Sequence, residues 1–130
     1  LLAFQSEEFL GHYLEETTLE PLTTSTVVSK EALTEALRDV KRDGYAWVDG
    51  EFDAHVCGLA VPVRDEQRNV VAAISANLLS SEMSRDHAVK EILPALRAAA
   101  EQLSGLAPAF LGPASRPYLR ANGASANSRA

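Results

Sequence analysis

The sequence predicts an α+β domain: a twisted, mainly antiparallel sheet with helices packed on it. Three observations predict it. Two apolar runs, residues 55–64 and 69–77, flank the polar stretch 65–68, the pattern of a β-hairpin. Three other stretches repeat their apolar residues at helical spacing. A serine (Ser6, Ser29 or Ser84) stands at or just before the start of each, as a helix N-cap does.

Taken in order, Ser6 heads a helix over residues 6–16. Glu7 and Glu8 lie in its first turn, where acids suit the helix dipole, and Leu10, Tyr13 and Leu14 follow at helical spacing. His12 falls on the solvated side, with no His or Cys at helical spacing to make it a metal ligand. Residues 17–28 are dense in threonine and contain Pro21, which reads as a loop or extended crossover. Hydroxyls in such a stretch are better explained as loop and strand caps than as modification sites. Ser29 caps the second helix, whose apolar stripe is Leu33, Ala36, Leu37 and Val40. Glu31 sits at its start, Arg38, Lys41 and Arg42 near its end, and Gly44 stops it. That basic end reads as a solvated helix end rather than a phosphate or DNA patch.

A short strand over residues 45–48 and the turn Asp49-Gly50-Glu51 lead into the hairpin. In its first run Val56, Gly58, Ala60 and Pro62 share one face, and His55, Cys57, Leu59, Val61 and Val63 share the other. Pro62 argues for an edge or bulged strand, and Asn69 for the left-handed position of the connecting loop. In the second run Val71, Ala73, Ser75 and Asn77 oppose Val70, Ala72, Ile74 and Ala76. Ser75 and Asn77 are small hydrogen-bonding residues beside small apolar neighbours, and Gly58 lets another group come close. This is a pocket wall or a half-solvated strand end. Residues 78–86 are polar, Ser84 is an N-cap, and the last helix spans residues 87–104. Its continuous face is Val89, Ile92, Leu93, Leu96, Ala99, Ala100 and Leu103; Pro94 should kink it and Gly105 end it.

Charge and cysteine count narrow the function. A net charge of −6 opposes lying along nucleic acid, whose binders present basic stripes. One cysteine excludes an internal disulfide and zinc-ribbon spacing. No apolar run reaches the length of a membrane span and no signal peptide is visible, which makes the cytoplasm the expected compartment. His55 and Cys57 with Asp49, Glu51 and Asp53 upstream could suggest a cysteine nucleophile. Strand residues two apart lie roughly 7 Å apart, too far for a direct bond, and no nucleophile elbow, P-loop or paired-metal spacing accompanies them. His55, Cys57 and Asp53 are also a thin metal set. The reading is therefore not an enzyme, with no metal and no cofactor, and Cys57 a small buried hydrophobe.

The stretch DGYAWVDGEF…GLAVPVRDEQRNVVAAISAN resembles the effector-binding domain of the IclR-type bacterial transcription regulators. Their pattern runs GYA-x-x-D-x-E, G-L-R-S-(I/L)-A-(A/V)-P-V, a D-x-x-G turn, then V-V-A-A-(I/L)-(S/N)-(V/I)-S. The likeness continues through LEPLT-x-x-T upstream and LPALRAAA downstream, closest to the branch that regulates protocatechuate, 4-hydroxybenzoate and β-ketoadipate catabolism. It implies a GAF/profilin-like fold and a small organic acid as effector. It also implies effector-binding positions at Val48 or Asp49, at Gly58, and at Ser75 and Asn77. Where the family pattern has Gly, Arg and Ser, this chain has His55, Cys57 and Gly58. The resemblance further implies a homodimer or homotetramer, with DNA bound only through a winged helix-turn-helix domain absent from this chain.

The expected organisation is residues 1–106 as the C-terminal part of an effector-binding domain and residues 107–130 as a tail. The apolar start Leu1-Leu2-Ala3-Phe4, without Met, is expected to lie midway through a longer polypeptide, with about half of the sheet's strands in the part upstream of it. The tail is rich in Ala, Ser, Asn and Arg and has the composition of a disordered segment, ordered only if held on its own domain, a partner subunit or a neighbouring molecule. The competing reading is an interaction module with no small-molecule ligand, using the same hairpin and last helix to dimerise. An enclosed space beside Gly58, Ser75 and Asn77 favours the sensor; large side chains filling it favour the interaction module.

Overall fold

The computed structural model describes residues 1–105. The hairpin is its centre. β2 (Val56–Arg64) lies between β1 (Ala46–Asp49) and β3 (Val70–Leu79) in an antiparallel sheet of order β1-β2-β3. Asp65 closes the connecting loop by accepting Asn69 N–H on Oδ1 (2.8 Å) and Asn69 Nδ2 on Oδ2 (3.1 Å). The left-handed residue there is Arg68, at φ 69°, and not the expected Asn69, whose amide is spent on Asp65.

Pro62 does not make β2 an edge strand. β1 pairs only with Cys57 to Ala60, so Pro62 has a neighbour on the β3 side alone. Val56 accepts Gly50 N–H toward β1, and backbone groups alternate sides, so the side on which Pro62 lacks a donor is the side without a strand. The expected irregularity follows at once, between Val63 and Arg64. β3 runs two residues past Asn77 because Val56 pairs with Leu79 and Cys57 with Leu78.

The alternation of β2 sets the core. Cys57, Leu59, Val61 and Val63 are buried on one face. Leu59, Val61 and Val63 meet Ala88, Leu93, Leu96 and Ala100, with Trp47, Ile74, Ala76 and Leu78 packed around them. Leu59 is fully buried, worth about 2 kcal/mol by burial of its side chain. The covering helices are α3 (Arg85–Glu91) and α4 (Leu93–Ser104). The single helix expected here is interrupted at Ile92. Pro94 is the second residue of α4 and cannot donate to the carbonyl four residues back, so the run restarts as a new first turn. Gly105 follows α4 in a right-handed conformation, so no left-handed cap closes it.

The other helices are α1 (Glu7–Glu16) and α2 (Lys30–Asp43). The caps stand where expected: Ser6 Oγ accepts Phe9 N–H, Ser29 Oγ accepts Ala32 N–H and Ser84 Oγ accepts His87 N–H. Gly44 ends α2 at φ 74°, a conformation that a side chain would strain. The basic end of α2 is answered by its own acids. Arg42 donates to Asp39 (2.7 Å) and Asp43 (2.7 Å), and this bond holds the Asp43 carboxyl below the usual range. Two arginines tie the same corner to the later helices: Arg97 donates to Asp43 O (3.1 Å), and Arg85 donates to Tyr45 Oη (3.1 Å). Among the described residues no helix is long and apolar enough to cross a membrane. The tail expected at residues 107–130 lies outside the described residues.

A cleft on the open face of the sheet

With α3 and α4 on one face, the opposite face carries the other half of each strand. Val48, Val56, Ala73, Ser75, Asn77 and Leu79 are exposed there. Pairing aligns the small residues: Gly58 lies between Val48 and Asn77, and Ala60 between Ala46 and Ser75. Cross-strand partners share a face, so these residues line one surface.

Gly58 is the floor of a cleft of about 320 Å³, the lower end of the size of small-molecule sites. Val48 and Val56 flank it, Asn77 supplies an amide, and Glu51, Phe52 and Asp53 form the rim. The floor exists because there is no side chain. A Cβ on Gly58 would come within 3.2 Å of Val48 Cγ2 and 3.4 Å of Asn77 Oδ1. Both flanks of β2 carry paired strands at this point, so its backbone N–H groups lie in the ladders. Gly58 therefore contributes space and not, as the sequence reading allowed, a backbone donor.

The four expected effector residues divide. Gly58 and Asn77 line the cleft. Ser75 is on the same face, one ladder position further along and exposed, but outside the cleft wall. Asp49 is not brought to them. It pairs with Cys57, on the helix side of the sheet, and its Oδ1 accepts Ser80 Oγ at 2.8 Å. There it borders a separate polar hollow with Ser81, Glu82, Ser84 and His87. Of the two positions considered before the hairpin, Val48 is the one that reaches the cleft.

Sequence reasoning missed what holds the rim. Thr26 Oγ1 accepts Leu22 N–H (3.1 Å) and Thr23 N–H (2.9 Å) and donates to Glu51 O (2.6 Å). Thr23 Oγ1 donates to Gly50 O, and Gly50 makes the turn at φ 69°. The signal was present in LEPLT-x-x-T: its two threonines are this clamp. His55 is exposed outside β2, with its N–H on Asp53 Oδ1 (2.9 Å). Cys57 is fully buried, Sγ 3.6 Å from Leu78 O. Among the described residues no group of three His, Cys, Asp or Glu could hold a metal ion.

A family model described as the C-terminal part of the bacterial transcriptional regulator IclR matches residues 1–105. The chain belongs to the IclR C-terminal family. It is 29% identical over 103 residues to the Pca regulon regulatory protein of Pseudomonas putida, covering 79% of this chain and 35% of that protein. It is 35% identical over 83 residues to the HTH-type transcriptional regulator XynR of Escherichia coli (strain K12), covering 64% of this chain and 33% of that one. Among solved structures it matches a double mutant of the PobR inducer-binding domain from Acinetobacter, in complex with 3-hydroxybenzoic acid. The TM-score is 0.76 at 26% identity, over 81% of this chain and 60% of that one. The C-terminal domain of E. coli KdgR matches with a TM-score of 0.72 at 28% identity, over 80% of this chain and 63% of that one. The sheet and helices are thus the α+β, GAF-like fold of IclR C-terminal domains, and the chain spans about a third of the length of the curated relatives it matches.

Proposed function

We propose that this IclR C-terminal domain senses a small-molecule effector in the cleft over Gly58, within a transcription regulator. The observation that supports this reading most is the floor itself. A central strand opens a glycine between Val48 and Asn77, and no side chain fills the space. The effector is a small organic acid of the kind met in aromatic catabolism. The likeness to the Pca regulon regulatory protein and to an inducer-binding domain holding 3-hydroxybenzoic acid supports that class. With Gly58 N–H committed to the ladder, the acid group is held by the Asn77 amide in the cleft wall, and the Ser75 hydroxyl on the same sheet face one ladder position beyond is its second donor. Hydrogen bonds to a charged acceptor are worth about 1.5–3 kcal/mol each.

Binding acts on transcription by shifting the arrangement of subunits in a cytoplasmic homodimer or homotetramer, through differential affinity for two states. DNA is contacted through a winged helix-turn-helix domain elsewhere in the protein, and the domain is not an enzyme. Of the four residues read from the sequence, Gly58, Asn77 and Ser75 serve the site, and Val48 takes the place of Asp49. Calorimetric titration of the full-length protein with protocatechuate, 4-hydroxybenzoate and β-ketoadipate tests this. Micromolar binding of at least one, lost on filling the floor with Gly58→Leu, is the expected result. No binding of any acid overturns it.

A further inference from the structure

The rim of the cleft hangs from one hydroxyl. Among the described residues, residues 51–54 make a single hydrogen bond outside their own turn: Glu51 O accepts Thr26 Oγ1–H at 2.6 Å. Their other bonds are local, from Val56 N–H to Asp53 O (3.0 Å) and from His55 N–H to Asp53 Oδ1 (2.9 Å). Gly50, just before them, is fixed on both sides. It is buried at φ 69°, gives its N–H to Val56 O (3.0 Å) and accepts the Thr23 hydroxyl on its carbonyl. Phe52 lines the cleft yet is 83% exposed, so moving the rim disturbs no core packing.

The Thr26 proton has a second place to go. A hydroxyl has one proton and two acceptor sites. Thr26 Oγ1 accepts Leu22 N–H and Thr23 N–H, so both acceptor sites are filled and its proton goes to Glu51 O. Thr23 Oγ1 accepts Ser25 N–H (3.0 Å), gives its proton to Gly50 O and keeps one acceptor site unused. It lies 3.3 Å from Thr26 Oγ1. When Glu51 O moves away, the Thr26 proton turns onto Thr23, and every other bond in the crossover stays as it was. The freed carbonyl meets water. Release of the rim therefore leaves no buried polar group unpaired and costs only the exchange of a shorter bond for a longer one.

We propose that Thr26 is a positioning residue whose hydroxyl is a switch. Donating to Glu51 O it holds the rim; donating to Thr23 Oγ1 it lets residues 51–54 swing about Gly50. The swing admits and releases the occupant of the cleft, so this rests on the effector reading above and adds its gate. A gate changes the rates of binding and release together and leaves affinity unchanged, because both directions pass through the same open rim.

Two measurements on the full-length protein test this. The first needs no ligand. Chymotrypsin cuts after large apolar rings, and Phe52 is on the rim whereas Trp47 is in β1. A swinging rim puts the first cut at Phe52 with Trp47 intact. That cut should be faster by about tenfold in Thr26→Val, as for one lost hydrogen bond, and near the natural rate in Thr26→Ser. Cuts at Phe52 and Trp47 that appear together, or a Phe52 cut that Thr26→Val does not speed, overturn the switch. The second measurement is stopped flow with 4-hydroxybenzoate. Thr26→Val should speed association and dissociation by about tenfold each while Kd stays within about threefold, and Thr26→Ser should restore both rates. Unchanged rates, or a Kd that weakens through dissociation alone, overturn the gate while the effector reading stands. If 4-hydroxybenzoate does not bind the natural protein, it is not the effector, and the order of the two cuts alone decides the switch.

Discussion

Gly58→Ala separates the two things a glycine can do in a strand. The added methyl would sit 3.2 Å from Val48 Cγ2, 3.4 Å from Asn77 Oδ1 and 3.9 Å from Ala76 O. The first two neighbours are side chains on the exposed face, so each can yield a few tenths of an ångström. Against that small cost, alanine removes the conformational penalty of glycine inside a strand, roughly 0.5–1 kcal/mol. The two terms oppose, and the stability measured by urea unfolding should change by less than about 1 kcal/mol. Binding should change much more. The methyl occupies the floor over which the ligand is proposed to lie, and a ligand lifted off the floor loses one hydrogen bond to a charged acceptor, about 1.5–3 kcal/mol or ten- to a hundredfold in Kd. Calorimetry with 4-hydroxybenzoate and urea unfolding on the same two proteins give both numbers. A Kd within about twofold of the natural protein, with the variant fully folded, refutes the placement of the ligand over Gly58.

Four further outcomes are expected. Ser75→Ala should weaken the same ligand by about tenfold while leaving the unfolding midpoint in place; equal calorimetric affinities would remove Ser75 from the site. Thr26→Val deletes a hydroxyl that serves Leu22, Thr23 and Glu51, and should cost about 1–3 kcal/mol in urea unfolding, with Thr26→Ser restoring most of it; a Val variant as stable as the parent would mean the clamp is idle. Cys57 is fully buried, so a thiol reagent should react only after unfolding, and rapid labelling of native protein would contradict its packing. Asp43 titrates below an ordinary aspartate because of the bond from Arg42. The stability it contributes is present above the unfolded-state pKa and is lost as pH falls through the lower folded value. An NMR titration of its carboxyl should show the lowered midpoint, and Arg42→Ala should raise it, with Arg85 still nearby.

The helices and the hairpin were legible because each is specified locally. Ser6, Ser29 and Ser84 are N-caps, and the alternation holds over residues 72–77, while Val71, placed by it with Ala73, packs on the core instead because the register shifts between Val63 and Arg64. Gly44 stops a helix because only its own backbone matters there. What could not be read was set by neighbours distant in sequence. Pro62 looked like an edge signal, yet its missing donor falls where β1 has already ended, and strand length across the sheet decides that. Asp49 sits one residue from Val48, which lines the cleft. A strand's period of two sends a one-residue error to the opposite face. The floor at Gly58 and Asn77 was visible as small residues on alternating positions. The rim at Glu51, Phe52 and Asp53 was not, because its conformation is held by hydroxyls about 25 residues upstream.

That last arrangement divides control of the cleft between two independent stretches of chain. The hairpin supplies a rigid base whose shape is bound to sheet pairing, so any change there is felt in the core. The rim hangs from Thr23 and Thr26, on a crossover that, among the described residues, belongs to no strand. On the effector reading proposed above, substitutions in residues 17–28 retune which molecules fit without disturbing the sheet. On that reading the inducer is changed through a surface loop while the sheet beneath it stays constant.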